Sequence, residues 1–236
     1  MSDSKKPLSL TFAGSGRKQV VTGETIERLQ GEASAETIRK LTPGVTSADD
    51  LLDMLADDRQ WIAARAERDA KREQLAAGWR EAEKPLLEEL RRAGVGVDST
   101  WDLVNTSDPY PEALPILLEH LRRDYPDRVR EGMARALAVQ PAGYAWDELV
   151  SLYRQEPDGT DAKDGLAVAV SGAFPSERFD DLIELAKDRE QGRSRILLLR
   201  AISRLRRPEA TAALRELASD PDLEVEATHL LRGRKS

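Results

Sequence analysis

Tyr125-Pro-Asp-Arg-Val-Arg-Glu-Gly-Met-Ala-Arg-Ala-Leu137 is the stretch that decides the fold of this chain. Its core, Val129–Leu137, matches Ala162-Lys-Asp-Gly-Leu-Ala-Val-Ala-Val170 position by position, and Ser194-Arg-Ile-Leu-Leu-Leu-Arg-Ala-Ile202 follows less closely. A second apolar-periodic run precedes each copy. Leu118, Val150, Leu182 and Leu214 stand 32 residues apart, as do Leu121, Tyr153, Leu185 and Leu217. The acidic residues Asp124, Glu156, Asp188 and Asp220 keep the same period. Upstream, Pro85-Leu-Leu-Glu-Glu-Leu-Arg-Arg92 echoes Ile116-Leu-Leu-Glu-His-Leu-Arg-Arg123, so a degenerate unit begins near Trp79.

A period near 32 with two helical runs and short breakers is the sequence form of an α-solenoid. One helix pair cannot bury its apolar face alone, whereas stacked pairs share a continuous core. First helices are predicted over about 110–123, 143–155, 176–187 and 208–219, and second helices over about 127–139, 161–172, 192–206 and 222–232. The breakers are Tyr125-Pro-Asp127, Glu156-Pro-Asp-Gly159, Gln191-Gly192 and Asp220-Pro-Asp222. Gly132 and Gly165 fall at matching places in the second helices. A glycine there costs about 1 kcal/mol against alanine, which implies close helix packing.

The segment 125–137 resembles the second helix of a HEAT repeat. More narrowly, it is similar to the bacterial HEAT-like repeats also found in phycobilisome lyases, with an acid before the second helix, then Val-Arg, then Ala and Leu at helical spacing. Asp220-Pro-Asp-Leu-Glu-Val225 resembles it too, with Glu226 where the pattern has Arg. The resemblance covers residues 80–233. It implies an all-α solenoid of about four to five HEAT-like helical hairpins, and a binding scaffold more than any one activity. It also implies that Asp124 with Arg130, Glu156 with Lys163 and Asp188 with Arg195 build ladders between neighbouring units, ending at Asp220 with Glu226.

Three zones follow. Residues 80–236 form the repeat domain. Residues 47–79 form a charged helix, with Ser47 as its N-cap and Asp49 and Asp50 in its first turn. Over residues 47–93 the apolar residues Met54, Trp61, Leu75, Trp79, Leu86 and Leu90 recur at sevens and fours, while 67–73 is charged on every side. This reads as one long, partly exposed helix, or two with a kink at Pro85. Residues 1–46 form a variable arm. Leu8–Phe12 and Lys18–Thr22 are suited to a short β-hairpin, and a disordered arm is the other reading.

Composition excludes much. The 236 residues hold no Cys and only two His, with a net charge of −7. There is no thiolate site and no His-based metal centre to be expected, and no cofactor is expected. No apolar run approaches a membrane span. The N-terminus lacks the apolar core of a signal peptide, which places the expectation in the cytoplasm. The adjacent carboxylates, Asp49–Asp50, Asp57–Asp58, Glu88–Glu89 and Asp180–Asp181, point different ways on helices and read as solvated faces. Gly14-Ser-Gly16-Arg-Lys18 lacks P-loop spacing. Asp158–Asp164 reads as an acidic helix start rather than a calcium loop. His120 reads as a surface residue, while His229 aligns with Met133, a core-like place.

The positive feature is Arg189–Arg207, seven arginines against Glu190 alone. Arg193, Arg200, Arg204 and Arg207 lie along one stripe, and Arg128 and Arg135 occupy the places matching Arg193 and Arg200. Trp101 and Tyr110 add aromatic anchors. These eight residues are the expected partner-binding set. The expected function is non-enzymatic binding of a protein partner, one of acidic character, in a groove lined by second helices. One alternative is an immunity protein or antitoxin that blocks a toxin. A second is a nucleic-acid-binding protein or enzyme, disfavoured by the acidic balance.

Overall fold

The computed structural model describes residues 9–10, 19–20 and 59–233. The chain divides into two compact units, Met1–Glu73 and Gln74–Ser236. In the first, Ser9–Leu10 (β1) and Gln19–Val20 (β2) pair antiparallel, with Ser9 opposite Val20 and Leu10 opposite Gln19. The rest of the expected hairpin or arm over 1–46, and the expected helix start at Ser47, lie outside the described residues. Helix α1 runs from Arg59 to Arg92 as one helix rather than two, and Pro85 is accommodated inside it.

The second unit is all-α. After α1 come α2 (Thr100–Asn105), α3 (Ala113–Leu121), α4 (Asp127–Ala136), α5 (Trp146–Gln155), α6 (Asp161–Gly172), α7 (Phe179–Lys187), α8 (Leu199–Arg204), α9 (Pro208–Leu217) and α10 (Glu224–Arg232). Two 3-10 segments, Gln140–Ala145 and Ser176–Arg178, lead into α5 and α7. A third, Arg189–Leu198, precedes α8 and bends at Gly192, where φ is 64°. The predicted helix 192–206 is therefore a 3-10 segment followed by a short α-helix. Glycine is the residue that takes this positive φ without strain.

Local chemistry explains the starts. Ser99 and Asp102 form a capping box on α2, and buried Glu83 accepts hydrogen bonds from Thr100 N at 2.8 Å and Thr100 Oγ1 at 2.6 Å. Thr160 caps α6 by accepting from Lys163 N. The carboxylate of Asp127, on the preceding second helix, accepts from Asp161 N and Ala162 N as well.

The helices fall into two sets. Helices α2, α4 and α6, the segment 189–198 with α8, and α10 contact one another in sequence. Helices α3, α5, α7 and α9 each pack against the second helix that follows them. All eight residues of the two 32-residue apolar series are buried. Second helices approach closely at glycine. A Cβ on Gly132 would lie 2.4 Å from Thr100 Oγ1, one on Gly165 2.9 Å from Glu131 O, and one on Gly172 2.3 Å from Ala138 O.

A row of buried polar groups links successive turns. Arg130 grips Glu156 with two contacts, 2.7 and 2.6 Å. Lys163, 2% exposed, donates to Tyr153 O at 2.6 Å, Glu156 O at 3.1 Å and Gln191 Oε1 at 2.8 Å, and Gln191 in turn donates to Asp188. Arg195, 0% exposed, donates to Asp220 at 3.0 Å and Asp222 at 3.4 Å, and also to Ala186 O and Gly192 O. Arg130 and Arg195 thus reach the acidic turn after the next first helix rather than the acid preceding their own helix, whereas Lys163 also bonds the carbonyl of Glu156 ahead of its own helix. Lys163 reaches Asp188, the acid of the next such turn, through Gln191.

Both histidine expectations are corrected. His120 is fully buried: its Nδ1 shares a hydrogen bond with Tyr125 OH at 2.7 Å and its Nε2 with Glu89 at 2.9 Å. Glu89, on α1, supplies the partner that makes burial of an imidazole tolerable. His229 is exposed, whereas Met133 is buried. Of α10 only Ala227 is buried, because no further described helix covers its outer face.

Candidate functional site

Seven of the eight expected binding residues divide by what their side chains already touch. Arg128 and Arg135 flank Glu131 on α4, at i−3 and i+4. Arg128 forms a salt bridge to Glu131, and Arg135 Nε donates to Glu131 Oε1 at 2.7 Å. Glu131 is 5% exposed and both its oxygens are taken. The Arg128 guanidinium also lies 4.1 Å from the centre of the Trp101 ring. Tyr110 OH donates to Ala136 O at 2.9 Å, and burial pushes its hydroxyl pKa up. Arg207 stacks 3.8 Å over Phe179, with Nε and Nη2 buried and unbonded. These groups hold α2, α4 and α7 in place.

Arg200 and Arg204 differ. Both are exposed on α8, and among the described residues their guanidinium groups form no ion pair. Arg193, the eighth residue, is likewise exposed and without an ion pair among the described residues. Arg195 is consumed by Asp220 and Asp222, and Arg189 by Asp220 at 3.1 Å, while Arg206 is exposed and has no ion pair among the described residues. The long basic stripe expected from sequence is thus reduced to a short one.

Arg200 and Arg204 border a groove of about 470 Å³. Arg135 lines it from α4, Ala138 from the segment just after α4, and Val168, Ser171 and Gly172 from α6. Ile196 and Leu197 line it from the 3-10 segment, and Glu226 from α10. The floor is aliphatic and only partly covered, since Ala138, Val168, Ile196 and Leu197 all keep some exposure. The approach of Gly172 to Ala138 brings α4 and α6 together beneath it, and Gln140 Nε2 ties the same place by donating to Gly172 O at 2.9 Å. Chemically the groove offers an apolar surface bordered by two adjacent, uncompensated cations.

Sequence reasoning located Arg135, Arg200 and Arg204 but missed the floor. Ala138 and Val168 look like ordinary helix residues, and only the packing of α4, α6 and 189–198 places them side by side. It also missed Glu131 as the shared partner of Arg128 and Arg135. That signal was readable, since i,i+3 and i,i+4 partners share a helix face.

A second hollow, about 380 Å³, lies by Trp146, Val150 and Arg154. Arg178 there is held by Asp147 at 2.5 Å and Asp181 at 2.5 Å, and sits 5.0 Å from the Trp146 ring centre. Its charge is already satisfied.

Among the described residues no group of three His, Asp or Glu could hold a metal ion, and no helix is long and apolar enough to cross a membrane. Compared with protein-family models, curated proteins and solved structures, the chain has no match.

Proposed function

We propose that the chain is a HEAT-like α-solenoid of four to five helical hairpins that binds a macromolecular partner, a protein, without catalysing a reaction. The observation that carries this reading is the groove over α4, α6 and α8: aliphatic floor, Arg200 and Arg204 unpaired at its border. The 32-residue period, the stacked second helices and the polar row from Arg130 to Asp220 support the solenoid part. Uncompensated charge beside apolar surface is the make-up of a recognition surface, where charge steers encounter and apolar contact retains the partner. The carboxylates that stand near one another, such as Asp147 and Asp181, are tied to Arg178 rather than poised for proton transfer.

The test is affinity capture from native lysate with wild-type protein and with an Arg193/Arg200/Arg204→Glu variant. The expected result is one protein recovered in stoichiometric amount by the wild type and absent with the variant. Equal recovery would remove the groove from the reading. Recovery of nucleic acid that leaves at moderate salt would replace it with nucleic-acid binding.

A further inference from the structure

We propose that the groove takes a linear acidic segment of the partner, in which two carboxylates about 6 Å apart flank an aliphatic side chain. This rests on the binding reading above and specifies its ligand.

Along the second helices the basic side chains that can find a carboxylate have one. Arg130 has Glu156, Arg128 and Arg135 share Glu131, and Arg195 has Asp220 and Asp222. The chain has 43 acidic residues, enough to supply one more. Arg200 and Arg204 nonetheless stand four apart on α8 with no ion pair among the described residues, although Glu226 lines the same groove. Like charges at this spacing repel, so an arriving anion relieves a cost as well as making contacts.

Four residues of helix span about 6 Å, which sets the separation of the two guanidinium attachment points. Carboxylates at i,i+4 of a helical ligand, or at i,i+2 of an extended one, have nearly the same separation. Arginine accepts carboxylate in a two-pronged geometry, which adds direction to the attraction. Between the arginines and α4, Val168, Ile196, Leu197 and Ala138 provide an apolar bed for one or two aliphatic side chains. A groove of about 470 Å³ is of that scale.

Nucleic acid fits less well. A single strand calls for a track of cations and aromatic faces for its bases. The groove has no aromatic residue, and Glu226 stands in its lining where it would repel phosphate. For a peptide, Glu226 is an acceptor for backbone N–H groups or for a basic residue beyond the acidic pair.

The experiment is to pan a phage-displayed random dodecapeptide library on the full chain. The consensus peptide, labelled with fluorescein, is then titrated by anisotropy. The expected consensus has two Asp or Glu two to four positions apart around Leu, Ile or Val. Binding is expected to weaken at least about tenfold with Arg200→Glu/Arg204→Glu, consistent with loss of close charge pairs. It is also expected to weaken with Val168→Lys, which leaves both arginines in place. Each variant is checked by circular dichroism, and the one that retains the wild-type spectrum decides. No enrichment, a consensus without acidic residues, or wild-type affinity in the folded variants would overturn the proposal. So would tighter binding of a 12-nucleotide single-stranded DNA than of the consensus peptide. If panning fails while lysate capture still yields a protein lost with the triple variant, the binding reading stands and only the linear segment falls.

Discussion

Arg195 and Arg200 lie five residues apart and have opposite surroundings. Arg195 is fully buried and donates to two carboxylates and two carbonyl oxygens. Arg200 is exposed and forms no ion pair among the described residues. The bend at Gly192 and the turn into α8 direct one toward the core side and leave the other on the groove. The contrast teaches that a run of arginines is not one feature. Part of it closes the structure and part is left open, and only the second part is free to bind.

Breaking the closed side should have the largest effect. Arg195→Ala removes a buried donor from Asp220, Asp222 and the carbonyls of Ala186 and Gly192, leaving Asp220 with Arg189 and the Asp222 N–H alone. The expected loss is about 3–5 kcal/mol, the usual result of removing one member of a buried ion pair. Urea denaturation followed by circular dichroism measures it, and a loss below 1 kcal/mol would show that water replaces the guanidinium.

Close helix approach comes next. Gly172→Ala drives a Cβ against the backbone of Ala138, and Gly165→Ala against that of Glu131. Each should cost about 1–3 kcal/mol, as overpacking does. Gly78→Ala is the control, because nothing lies within 4 Å of its added Cβ. It should stabilise by about 1 kcal/mol, the helix-propensity difference. Equal effects at the three sites in thermal melts would contradict the packing argument.

The pH dependence sharpens the comparison from the acid side. The hydrogen bond from Arg195 holds the Asp220 carboxyl below its usual value of 3.8, and the Asp222 backbone N–H assists. A carboxylate with a lowered folded-state pKa contributes stability that is complete above the unfolded value. That contribution is lost as pH falls through the folded-state value. Wild-type stability should therefore drop below about pH 4 more steeply than that of Asp220→Asn. Parallel curves from pH 6 to 2 would mean that the Arg195–Asp220 pair does not shape acid unfolding.

The open side should give the smallest change in stability. Arg200→Glu/Arg204→Glu removes no internal partner, and the shift should stay within about 0.5 kcal/mol. A large loss would mean that these arginines belong with Arg195 after all.

Much of the helix plan was legible because it rests on short-range rules. Pro126-Asp127 and Thr160-Asp161 open helices where turn and capping chemistry predicts, and the 32-residue apolar series mark positions that are buried. His120 was not legible, since nothing local announces Glu89, 31 residues earlier, as its partner. The same holds for the groove. The repeat of Arg128 and Arg135 at Arg193 and Arg200 suggested one continuous stripe, yet Glu131 pairs with both members of the first set, while the other two form no ion pair among the described residues.

By itself, then, the sequence determined the all-α class of the second unit, most of its helix starts, and the burial of the 32-residue apolar series. Those depend on periodicity and on backbone groups within a few residues of one another. Apart from the local pairs to Glu131, only the tertiary structure decided which charges are spent. Arg130 and Arg195 meet carboxylates some 25 residues away, and those distances exist only once the helices lie side by side.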